Sequence, residues 1–138
     1  MSQLVDQIFT FNERVIGIGD VEKNALTEKQ HEWLQIFCAE EMNEFRDAFE
    51  AQDIVKMVDA VCDLIYGAMG TFKKMGLTRT EVVACFSAVH KANMTKKRGD
   101  KGRGSDEDAT KPEDFVPPEY AIGLILFGQD SLDFSNGG

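Results

Sequence analysis

From Thr27 to about Glu50 nothing in the sequence breaks a helix. Thr27, followed by Glu28 and Gln30, reads as a helix start in which the threonine caps the first turn and Gln30 stands in the capping-box position. Asp53 then reads as the N-cap of a second helix running to Met75, with Gly76 supplying a left-handed stop. Two long helices separated by a few residues fold back on each other, so this pair sets the expected fold class: an all-α, antiparallel helix bundle. Thr78 or Thr80 caps a third helix, which passes through Val82, Val83, Phe86 and Val89 to about Ala92.

The flanks are less regular. Residues 1–25 offer Leu4, Val5, Ile8, Phe9 and Phe11 for a short helix, followed by a glycine-bearing stretch at Ile16 to Asp20 that reads as a loop. Beyond Met94 the composition turns basic and then acidic with almost no apolar residue, which reads as a mobile loop over 95–114. Phe115 to Tyr120 restores order, Ala121 to Phe127 is apolar enough to dock as a turn or two of helix, and 135–138 is expected to fray. At 138 residues the whole chain is expected to form a single domain. A domain of this size buries only about two-thirds of its unfolded surface, so an all-helical one gains from pairing with a second copy.

Charge and cysteine content exclude several function classes. Fifteen basic against 24 acidic residues, a net charge of -9, argue against a duplex-binding surface, which must neutralise phosphates with a basic face. Cys38, Cys62 and Cys85 lie far apart in apolar helical stretches and form no C-x-x-C pair, so they read as buried free thiols of a reducing compartment. Neither a signal peptide nor a membrane span is apparent, and the expected location is the cytoplasm.

Four carboxylates stand out. At ~100° per residue, Glu40 and Glu44 continue the apolar stripe of Trp33, Ile36 and Phe37, and Glu41 shares an arc with Leu34, Cys38 and Phe45. On the second helix Asp59 and Asp63 are the only charged residues between Met57 and Phe72, four apart and so on one face. Acids on arcs where helices pack are costly unless a partner or metal compensates them. Read from the residues alone, they are either a solvated acidic surface or a hard-cation site, and the lack of histidine in the set favours Mg²⁺ or Mn²⁺ over zinc. Trp33, Phe37 and Tyr66, at helical spacing, read as core before they read as base-stacking groups.

The order of three motifs carries a resemblance: Glu40-Glu41-Met-Asn-Glu44, then Asp59-Ala-Val-Cys-Asp63-Leu-Ile-Tyr66, then Val89-His90-Lys91-Ala92-Asn93-Met94-Thr95-Lys96, with Lys111-Pro-Glu-Asp-Phe115-Val-Pro117-Pro118 behind them. From about Trp33 to Ile125 the chain resembles the all-α nucleotide pyrophosphohydrolases, the group containing MazG, dimeric dUTPases and phosphoribosyl-ATP pyrophosphohydrolase, and within it the short single-domain MazG-like proteins. The resemblance implies that Glu41, Glu44 and Asp63 ligate Mg²⁺ and that Glu40 orients or deprotonates the attacking water. Relatives often carry glutamate where this chain has Ala60, so Asp59, one residue earlier, is expected to take that ligand role. Lys91, Asn93 and Lys96 are expected to bind substrate phosphates, and the bundle is expected to complete a four-helix core as a homodimer or tetramer.

The activity so implied is Mg²⁺-dependent hydrolysis of a (deoxy)nucleoside triphosphate to the monophosphate and pyrophosphate, with Mn²⁺ as a possible substitute. Two readings from other classes compete with it. One is a non-catalytic nucleotide-sensing or dimerisation module of the same fold, kept alive by Ala60. The other is an acidic protein-interaction face without metal affinity.

Overall fold

The computed structural model describes residues 2–24 and 26–128. Among these the chain is all-α, with five α-helices and one two-stranded ribbon. It divides into two compact units, Met1–Arg79 and Thr80–Gly138. The fraying expected of 135–138 lies outside the described residues. No helix among those described is long and apolar enough to cross a membrane.

The first unit is built on a helical hairpin, α2 (Glu28–Glu50) and α3 (Ile54–Lys74). The start of α2 has the capping box the sequence suggests: the Thr27 hydroxyl accepts from the Gln30 N–H at 3.2 Å, and the Gln30 side chain accepts from the Thr27 N–H at 3.0 Å. Asp53 caps α3 by accepting from the Lys56 N–H at 3.1 Å. Both helices end in the same way. The N–H groups of Gly76 and Leu77 bond back to the carbonyls of Lys73 and Phe72, and those of Gln52 and Asp53 to Phe49 and Ala48, each pair closing around a left-handed residue. Gly76 takes that conformation at φ 84°, as expected of a glycine. Gln52 takes it at φ 55°, with a side chain that disfavours it.

The N-terminal segment is more than a possible short helix. Helix α1 (Ser2–Phe11) runs on into a π-helical turn, Asn12–Ile16, closed by Gly17 at φ 83°. Val5, Ile8 and Phe9 are the most deeply buried large side chains of this unit. The turn also buries Asn12, which donates to the Ile8 carbonyl at 2.9 Å and packs on Gly70 of α3. Arg79 fastens α1 through Asp6 at 3.0 Å and the π-helical turn through Glu13 at 2.5 Å. The glycine-bearing stretch that follows is a loop, as read. Lys73, its side chain only 7% exposed, holds that loop through Asp20 at 2.9 Å and keeps the Asp20 carboxyl below its ordinary range.

The apolar stripe on α2 does not all turn inward. Ile36, Glu40 and Glu44 are exposed, and of α2 only Ala48 is fully buried. On α3 the stripe Ile54, Val58, Val61 and Ile65 is likewise at least 42% exposed. A single hairpin offers each helix one neighbour, whereas these helices are apolar on two sides. The cysteines are free thiols, but only Cys85 is buried, and Cys62 lies exposed on α3.

In the second unit α4 (Arg79–Asn93) starts directly after Thr78. The segment read as a mobile loop contains a β-hairpin, β1 (Lys97–Arg98) against β2 (Ala109–Thr110). Its basic-then-acidic composition is what pairs it. Arg103 forks onto Asp108 with two 2.8 Å bonds, and Arg98 donates to the Asp106 carbonyl at 3.0 Å. Helix α5 (Glu119–Phe127) follows the double proline, and Pro117, Pro118, Leu124 and Ile125 line an apolar groove with Ala88 and Lys91 of α4.

Candidate metal centre

On the helical hairpin, contacts step down α3 as they step up α2. Trp33 meets Lys74, Phe37 meets Gly67 and Glu41 meets Asp63. Gly67 sets how closely the helices approach, because a Cβ there would stand 2.2 Å from Phe37 Cε1. One turn further along each helix, that approach brings acids face to face. One carboxylate oxygen from each of Glu41, Glu44 and Asp63 lies within 4.8 Å of the other two.

The electrostatics of the cluster are one-sided. Glu41 Oε2 is shielded from solvent and has no hydrogen-bond partner among the described residues. Burial, followed by the negative charges of Glu44, Asp63 and Asp59, raises the Glu41 carboxyl above its ordinary range. A shielded oxygen surrounded by acids is a poor solvated surface and a good ligand for a hard divalent cation. The donor set is therefore suited to a metal ion, and the acids could hold one.

The remaining expected residues fall in different places. Asp59 is close enough to act on Glu41 but is not one of the three grouped oxygens. It lines, with Glu44, Asp47 and Lys56, an open cavity near the turn of the hairpin. Ala60 is 3% exposed, so a methyl fills the packed position where the resemblance led us to expect an acid. Glu40 is exposed and outside the group. Lys91, Asn93 and Lys96 belong to the second unit. Lys91 and Asn93 are exposed on the last turn of α4, and the Lys96 ammonium lies 5.4 Å from the Phe115 ring centroid.

The aromatic side chains have partners of their own. Trp33 stacks on Phe37 with centroids 4.9 Å apart and carries the Lys74 ammonium 3.8 Å above its ring, while Tyr66 meets Phe11 edge-on at 5.3 Å. Burial holds Lys74 below its ordinary pKa. Sequence reasoning missed Lys73 with Asp20, and Lys111, whose ammonium is 5.3 Å from Phe115. The first pair is 53 residues apart and no local pattern could reveal it. Lys111 did carry a signal, in the lysine and aromatic segment before the double proline.

An all-α chain with a carboxylate cluster across a helical hairpin has an arrangement that could hold a hard cation between helices. The phosphoribosyl-ATP pyrophosphohydrolase family model matches residues 18–93, more than half of the chain, and the chain belongs to that family. No curated protein matches it. Membership implies pyrophosphohydrolase activity on a nucleotide.

Proposed function

We propose that the chain hydrolyses a (deoxy)nucleoside triphosphate to the monophosphate and pyrophosphate with Mg²⁺, in house-cleaning or nucleotide-pool control within the cytoplasm. The observation that carries this reading is the orphaned Glu41 Oε2 inside the Glu41, Glu44 and Asp63 cluster. These three would hold the ion, with Mn²⁺ an acceptable substitute, and Asp59 would add negative charge beside them. When bound, the ion neutralises charge developing on phosphoryl oxygens and lowers the pKa of water. Glu40, exposed next to Glu41, would accept a proton from the attacking water. Lys91, Asn93 and Lys96 would bind the substrate phosphates.

The exposed stripe of Ile54, Val58, Val61 and Ile65 supports self-association, because a second hairpin laid on it completes a four-helix core. Sedimentation is expected to show a dimer or tetramer, and a monomer would remove that part of the proposal.

Activity is tested with a panel of nucleotides and Mg²⁺. Pyrophosphate release is expected from at least one, and Glu41→Gln or Asp63→Asn is expected to lower it by about 10²-fold or more while circular dichroism stays unchanged. Release that persists in both variants would refute the site. Ala60 in the place of an acid favours a second reading, a nucleotide sensor, for which calorimetry would show tight binding of Mg²⁺ and nucleotide without turnover.

A further inference from the structure

The strip of the helical hairpin that holds the acid cluster continues towards the start of α2. Glu41, Phe37 and Trp33 follow one another at intervals of four residues, which puts Trp33 ~12 Å along the helix from Glu41. Their contacts on α3 keep step, from Asp63 through Gly67 to Lys74. Trp33 is the only tryptophan of the chain, and its ring is fixed by stacking on Phe37 with the planes 12° apart, yet the residue stays 43% exposed. An aromatic ring held in place and open to solvent is not serving as core. The Lys74 ammonium, 3.8 Å from the Trp33 centroid, is partly desolvated, and among the described residues it donates to no acceptor. Lys97 and Lys101 also lack an acid, but they are exposed to water. Lys73, next to Lys74 and buried, has Asp20 at 2.9 Å. Lys74 therefore keeps unused donors over an open ring, about the length of a nucleoside triphosphate from the acids.

We propose that Trp33 and Lys74 seat the base of the nucleotide and select a keto base (guanine, thymine or uracil) over an amino base (adenine or cytosine). This rests on the proposed function, which puts the phosphates of the nucleotide at the acid cluster. Stacking on Trp33 does not discriminate, because every base has a π-face. Discrimination comes from Lys74. An ammonium has three donors and no acceptor, so it needs an oxygen on the edge of the base. Guanine O6 and thymine O4 accept a hydrogen bond, whereas the matching atoms of adenine and cytosine are amino nitrogens that donate. The flexible four-carbon stem lets the ammonium move from above the ring to the edge of a base stacked there, exchanging a cation–π contact for a bond to the carbonyl oxygen. An amino base leaves the half-buried donors unpaired, and a site of that kind rejects the analogue that cannot pair.

The test titrates the full chain, with Mg²⁺ present, with the α,β-imido analogues of dGTP, dTTP, dATP and dCTP, whose bridging nitrogen resists cleavage between the α and β phosphates. Trp33, as the only tryptophan, reports stacking directly through its fluorescence. All four analogues are expected to quench it, and the two keto analogues are expected to bind about tenfold more tightly than the two amino ones. Lys74→Met keeps an apolar stem on the ring and is expected to bring the four within about twofold, while Lys74→Arg keeps the donors and the preference. Absence of quenching, equal affinity for keto and amino analogues in the unaltered protein, or a preference that survives in Lys74→Met would each overturn the proposal. The comparison within the unaltered protein decides the matter even where a variant does not fold. Failure of the enzymatic reading looks different: no natural nucleotide releases pyrophosphate, while quenching with the keto preference persists.

Discussion

In the β-hairpin Arg98 and Arg103 meet Asp106 and Asp108, whereas on the helical hairpin Glu41, Glu44 and Asp63 meet one another. The same chemical group responds in opposite directions. Asp108, gripped by Arg103 and by the Ala109 N–H, is lowered to about 2, while Glu41, shielded and surrounded by acids, is raised. The contrast teaches where to look for ligands. Charges satisfied within a few residues of sequence hold local structure together, and charges assembled from distant residues without a counter-ion are held ready for something else.

The largest structural effect expected is at the point that brings the acids together. Gly67→Ala places a methyl where Phe37 stands, and is expected to cost about 1–3 kcal/mol in denaturant unfolding. If the acid cluster is a metal centre, that variant also loses part of the rise in Tm on adding Mg²⁺. An unchanged rise would separate the helix approach from the cluster. Next is the turn of the helical hairpin, where Gln52→Gly relieves a left-handed side chain and is expected to stabilise by about 0.5–1 kcal/mol.

Smaller effects sharpen the comparison between the two kinds of acid. In EDTA at neutral pH, Glu41→Gln is expected to stabilise by a few tenths of a kcal/mol, because it removes a like charge from its neighbours. If the cluster is a metal centre, the same substitution is expected to abolish any rise in Tm on adding Mg²⁺. For Glu41 the folded pKa is raised, so its ionisation costs stability above that pKa and the cost disappears at low pH. For Asp108 the sign is reversed. Its folded pKa is depressed, so its contribution is present above the ordinary aspartate range and is lost as pH falls through about 2. The NMR shift of the Asp108 side-chain carboxyl carbon is expected to stay constant down to about pH 3 and to move below it. A step in the ordinary carboxylate range would show that Arg103 does not hold Asp108.

Much of the helical hairpin was legible because its signals are local. A capping box needs four residues, an N-cap a single side chain, and a left-handed stop one glycine, so Thr27, Asp53 and Gly76 could each be read in place. The turn at Gln52 was not, because glutamine carries no left-handed signature and takes that conformation only since both helices demand it. Helix α1 was legible as a short apolar stretch and no more. Its standing as the most buried part of the first unit comes from packing on Gly70 and from Arg79, far along the chain.

Charge shows the same division. The order of the acids, with the motifs that follow them, was enough to suggest the family, a hard cation and Glu41, Glu44, Asp59 and Asp63 as its ligands. Sequence periodicity could not tell which side of α2 would be covered, and Ile36, Glu40 and Glu44 face outward. Nor could it turn a basic block and an acidic block into a paired hairpin, or choose Asp63 over Asp59 for the close group. Periodicity assigns a residue to a face of its own helix, and which face meets a neighbour depends on the approach of a second helix. Here that approach is set by Gly67 against Phe37, so the sequence alone determined the acids available and the tertiary structure decided which three come within reach of one ion.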